Sequence, residues 1–124
     1  MFKGVVLMSR KKKKARRRTP SGWDSHHLLW TRRTWDRGYK LLLRRSFIYE
    51  IPITVHQELH ANVEPMPPLD ETEAKMLWDL YKQVDHEMGL FEALAWLQLH
   101  APNAEFATAM MAQHGFLSNH LDRS

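Results

Sequence analysis

The chain has 124 residues, 44% apolar and 26% charged, which supports one hydrophobic core and excludes two independent catalytic units. It contains no cysteine, so disulfides, thiolate-bound zinc and thiol nucleophiles are removed together. No apolar run approaches the roughly 20 residues a membrane helix needs, and Met1 to Met8 is too short for a secretory core, so a soluble, cytoplasmic protein without a membrane partner is expected.

The net charge of +4 conceals a division. Residues 1–50 hold fifteen Lys and Arg against three acids, whereas residues 51–124 hold three against eleven. A polyanion-facing first half and a solvating or partner-facing second half are expected, although attraction between halves of one fold gives the same pattern.

In chain order, residues 1–21 read as a basic flexible tail, with Lys11, Lys12, Lys13, Lys14, Arg16, Arg17 and Arg18 repelling one another and nothing to bury. Thr19-Pro20-Ser21-Gly22 marks its end. A short strand or hairpin arm is predicted near Ser25–Trp30. Trp35 to Arg45 suits a short helix or a packed loop, with Gly38 against the helix. Phe47 to Ile51 reads as a strand, and Ile53 to Val63 as a helix with Val55, Leu59 and Val63 on one face. Pro65, Pro67 and Pro68 end it.

The remainder reads as helical. Asp70 or Thr72 caps a helix with the stripe Met76, Leu77, Leu80, Tyr81, Val84 and Met88, which Gly89 ends or bends. Leu90 to His100 forms a second helix, and Asn103 caps a third that runs to Gln113 with Gly115 beyond it.

The informative residues are histidines. His56 and His60 lie four apart on the predicted helix, so both imidazoles reach one ion. His26 and His27 sit on the preceding strand, where neighbours point to opposite faces. One of them supplies a third ligand while the other aims at water or substrate, leaving the open position that catalysis requires. A packed aromatic cluster is the alternative for the same residues. A zinc-protease reading of His56-Gln57-Glu58-Leu59-His60 is weak, because Gln57 stands where that chemistry needs Glu. His86, His100, His114 and His120 lack such spacing and are assigned no role.

Asp24-Ser25-His26-His27, then a strand, then His56-Gln57-Glu58-Leu59-His60 resembles the ββα-metal, or HNH, nuclease motif in its colicin-DNase form. The resemblance spans about Trp23 to Pro65. It implies that His26, His56 and His60 ligate a divalent metal and that His27 is the general base for phosphodiester hydrolysis. All-imidazole ligation suits zinc, nickel or cobalt, with manganese or magnesium held loosely. The family's Asn, which steadies the histidine-bearing segment, has no counterpart between His27 and His60; Ser46, Thr31 and Thr34 are the candidates to replace it, and none matches by position.

Between the histidine pairs fall Arg32, Arg33, Arg37, Lys40, Arg44 and Arg45, placed to hold phosphates without reading bases, or else to form a solvated basic face. Trp23, Trp30 and Trp35 are expected in the core rather than stacked on bases.

The sequence is thus read as a small α+β protein. A basic tail (1–21) precedes an HNH-like module (22–66) and a helical subdomain (67–124) packed on it. Metal-dependent cleavage of DNA, favoured over RNA, is the expected function. The alternative is a catalytically degenerate module that binds nucleic acid or a nucleic-acid-handling protein, as an inhibitor or accessory factor of a phage or mobile element, with the acidic helical half as a protein-docking face.

Overall fold

A computed structural model describes residues 21–30, 38–84 and 87–121, with Tyr39 described by its backbone alone. Within them the chain forms a small α+β fold of two strands and five helices. Strand β1 (Trp23–His27) pairs antiparallel with β2 (Ile48–Pro52), in a register that sets His26 opposite Tyr49 and Asp24 opposite Ile51. Directly opposed residues share a face, so Asp24, His26, Tyr49 and Ile51 all look the same way. Gly22, at φ +84°, turns the chain into β1, and its carbonyl accepts from Ile53 N–H at 3.0 Å, closing the end of the ribbon.

Helix α1 (Gly38–Ser46) precedes β2, and α2 (Ile53–Asn62) follows it without a loop. Pro52 is both the last strand residue and the cap of α2, so the helix starts where proline cannot continue the ladder. Of the predicted stripe on α2, Leu59 is fully buried, while Val55 and Val63 are partly buried against the core. After the helix, Met66 N–H donates to Trp30 O at 2.8 Å, fixing the turn beyond β1.

Helix α3 (Glu71–Tyr81) begins with a capping box: Asp70 accepts from Glu73 N–H and Glu73 accepts from Asp70 N–H. The other carboxylate oxygen of Glu73 accepts from Asn103 Nδ2, and Asn103 Oδ1 accepts from Phe106 N–H at the start of α5 (Ala104–His120). One carboxylate thereby ties two helix ends together. Between them, α4 (Leu90–Leu99) starts at Gly89, whose N–H donates to Glu92.

Several boundaries depart from the sequence reading. Strand β1 starts two residues earlier and ends at His27, because Leu28 and Leu29 turn inward as fully buried core residues. Gly38, at φ +49°, begins a helix instead of opposing one. Helix α3 stops at Tyr81, so Val84 and Met88 lie past its end. Helix α5 runs through Gly115 to His120, because Leu117 is buried and Phe116 partly buried, and packing overrides the weak propensity of one glycine.

The buried residues form one continuous cluster from Leu28 to Leu117. Phe47, fully buried beside β2, packs edge-on to Tyr81 of α3 and stacked with Trp96 of α4, at 4.9 and 6.1 Å between ring centroids. Tyr49 Oη donates to Met88 O at 3.1 Å. Residues between Tyr81 and Trp96 therefore cover Phe47 and Tyr49. No helix among the described residues is long and apolar enough to cross a membrane.

Gly115 is exposed, and a Cβ built there meets nothing within 4 Å. Gly115→Ala should therefore stabilise the protein by up to about 1 kcal/mol, from helix propensity alone, in urea unfolding.

Candidate metal centre

The two periodicities assemble the site. On β1 a period of two puts Asp24 and His26 on the face covered by α2. On α2 a separation of four puts His56 and His60 one above the other. The His26, His56 and His60 rings meet with centroids 4.6 to 5.8 Å apart, and each offers one nitrogen within 4.8 Å of the others. These three histidines lie close enough to hold a metal ion. His56 Nε2 and His60 Nε2 are 3.0 Å apart. Two nitrogens bound at 2.0–2.1 Å to one tetrahedral ion lie about 3.3 Å apart, so this pair needs little adjustment.

Each ring has its own surroundings. His26 has no solvent exposure; one ring nitrogen, Nε2, is 2.6 Å from Gln113 Oε1, and the other, Nδ1, is buried with no hydrogen-bond partner. It is the one such buried side-chain atom among the described residues. His56 Nδ1 is 3.0 Å from Asp24 Oδ2. Donation from Nδ1–H to that carboxylate leaves Nε2 of a neutral His56 as a donor atom for metal, the arrangement in which a carboxylate orients a histidine ligand. His60 is the exposed member, with Trp30 edge-on at 4.7 Å, so the group opens to solvent on that side.

His27 lies outside this group, on the opposite face of β1, as alternation requires. It is partly exposed and near enough to Arg44, Arg45 and His56 to feel their charges. Of the predicted phosphate contacts, Arg45 is exposed, Arg44 is half-buried, and Lys40 Nζ lies 3.7 Å from Glu71, an ion pair joining α1 to α3. Burial and the neighbouring Arg45 hold the Arg44 guanidinium below its ordinary range. Arg32, Arg33, Arg37, the tail bases Lys11–Lys14 and Arg16–Arg18, and Trp35, Thr31 and Thr34 lie outside the described residues. Ser46, the remaining polar candidate in place of the missing Asn, donates to Leu42 O within α1.

Two residues of this centre were given no role from the sequence. Asp24 was legible in principle, since it stands two residues before His26 on the same strand face. Gln113 was not, because it lies 87 residues away on α5. A shallow depression lined by Glu71, Thr72, Lys75, Met76 and Asp79 includes none of the histidines and is an ordinary solvated face of α3. Comparison with family models, curated proteins and solved structures finds no match.

Burial is the main force on the titration of these groups. It pushes His26 down to about 3; the Gln113 hydrogen bond acts the other way, and the nearby His56, His60 and His27 reinforce the fall. His27 is lowered to about 4 by burial first, then by Arg44, His56 and Arg45. His60 is lowered by burial and by His56. All three are therefore neutral near pH 7, the form that binds metal or accepts a proton.

For a histidine whose folded pKa is depressed, the unfolded chain binds more protons between the two values, so stability is intact above about 6.5 and is lost as pH falls toward the folded value. From His26 alone the loss should be on the order of 3 kcal/mol by pH 4. Urea unfolding of the chelator-treated protein between pH 7.5 and 4 should show it, and His26→Gln should flatten the profile. Parallel profiles would mean that His26 is not held neutral by burial.

Proposed function

We propose that the protein is a metal-dependent nuclease of the ββα-metal kind, hydrolysing phosphodiester bonds in DNA or RNA. The observation that carries this reading is the convergence of one strand imidazole and two helix imidazoles across an antiparallel pair that runs directly into a helix. The imidazoles of His26, His56 and His60 form a donor set suited to zinc or nickel, with manganese and magnesium as weaker occupants. The unpaired, buried Nδ1 of His26 and the carboxylate behind His56 fit such an ion. A divalent ion bound there supplies charge stabilisation at the scissile phosphate and the leaving oxygen.

The rest of the chemistry belongs to the chain. His27, neutral near pH 7 and partly exposed, accepts the proton of the attacking water. Arg44 and Arg45, close enough to His27 to lower its proton affinity, hold the phosphate beside it. Asp24 keeps the His56 ring turned with Nε2 toward the ion.

The test is incubation of supercoiled plasmid and of RNA with added zinc, nickel, manganese or magnesium. His27→Ala should lower the cleavage rate by roughly 10²-fold or more with metal affinity unchanged, as expected for loss of a general base. His56→Ala should lose both cleavage and metal binding. Asp24→Ala should weaken metal binding by about 10–100-fold through the ring it orients. Wild-type protein that binds metal and cleaves nothing overturns the nuclease reading.

A second reading rests on a specific observation: no Asn stands between His27 and His60, and Ser46 is engaged within its own helix. On this reading the module binds nucleic acid without cutting it, through the same basic residues. Filter binding across a salt series should then show affinity falling steeply with salt, the slope dropping by about 1 for each of Arg44→Ala and Arg45→Ala.

A further inference from the structure

Gln113 is a fully buried polar residue in the middle of a helix that takes no part in the ββα unit by sequence. Its amide makes two contacts across the core. Nε2 donates to Leu28 O at 3.1 Å, and Oε1 lies 2.6 Å from His26 Nε2. The first contact decides the second. A carbonyl oxygen only accepts, so the amide must present its NH2 group to Leu28 and therefore its oxygen to His26. An amide oxygen also only accepts, so the proton of the His26–Gln113 hydrogen bond sits on His26 Nε2. Turning the amide over would set two oxygens face to face in a buried space and leave both without a donor.

A neutral imidazole carries one proton. With that proton on Nε2, Nδ1 is left with a bare lone pair, and this is the nitrogen that is buried without a partner. The ring it belongs to is packed edge-on to His56, His60 and Trp30, at 5.1, 5.8 and 5.4 Å between centroids. A buried acceptor facing no donor is rare in folded proteins unless something else uses it.

We infer that Gln113 is a positioning residue of the metal centre: it holds His26 in the Nε2–H tautomer, so that Nδ1 is the nitrogen offered to the ion. This rests on the metal reading above and deepens it. Asp24 does for His56 what Gln113 does for His26, each accepting from the ring nitrogen that does not ligate. The two partners come from opposite ends of the chain. The centre is thereby complete only when α5 is docked on β1, which makes the C-terminal helix part of the site.

The experiment has two arms. In the metal-free full-length protein, long-range proton–nitrogen correlation of the imidazoles should report His26 protonated at Nε2 and bare at Nδ1. In the second arm, cobalt(II) is titrated and its visible absorption is followed in wild type, Gln113→Leu and Gln113→Glu. Gln113→Leu should weaken cobalt binding by about 10–100-fold. Gln113→Glu keeps an acceptor for Nε2–H and should bind close to wild type, although both variants give up the bond to Leu28. A His26 protonated at Nδ1 overturns the proposal, as does Gln113→Leu binding cobalt like wild type. Equal weakening in both variants also overturns it, by pointing to the lost Leu28 bond. Should Gln113→Leu not fold, the nitrogen spectrum of the wild type and the Gln113→Glu titration decide. A wild type that takes up no cobalt refutes the metal reading, and the tautomer is then judged on the nitrogen spectrum alone.

Discussion

Burying His26 is the constraint around which the rest of this fold is arranged. An imidazole removed from water loses two hydrogen bonds, and a buried polar group without partners costs more than most single contacts return. Here one nitrogen is satisfied by an amide from the far end of the chain, and that amide is itself anchored on the carbonyl of Leu28. The other nitrogen is buried without a hydrogen-bond partner, and the ring packs edge-on against two more imidazoles and an indole. The ring thus sits at the junction of β1, α2 and α5. The Glu73–Asn103 contact, by comparison, joins two helix starts.

That junction explains why a strand pair and one helix do not stand alone. A unit of about forty residues without disulfides buries too little apolar surface to be stable by itself. The inner face of the hairpin supplies Tyr49 and Ile51, but the partners that cover this part of the core, Tyr81 and Trp96 against Phe47 and Met88 against Tyr49, come from the later helices and the segment between them. The acidic half of the chain is accordingly part of the core, and its negative charge is carried on outward faces such as the start of α3, where Glu71 also meets Lys40.

Rigidity within the three-histidine group is graded. His26 is held at one nitrogen by an amide and is wholly enclosed; His56 is held at one nitrogen by a carboxylate and is mostly enclosed; His60 is exposed and steadied by Trp30 and by His56 itself. Such an order fits a centre that is fixed on its protein side and open on its solvent side, which is the geometry an ion needs to meet an outside ligand. His27, on the reverse of the same strand and near two arginines, faces a different environment from its neighbour, and this difference follows from one step along an extended chain.

Local chemistry was legible in the sequence. The separation of His56 and His60 put two rings on one side of a helix, Pro52 and the three later prolines bounded that helix, and Asp70 and Asn103 marked helix starts. These are properties of a few consecutive residues, set by backbone periodicity and by end groups that need partners. Gln113 was not legible, since in sequence it is an ordinary polar residue at the expected end of a helix, and neither was the persistence of α5 through Gly115 or the early end of α3. Those were decided by which surfaces became buried when distant segments met, and burial is a property of the whole chain that no local spacing contains.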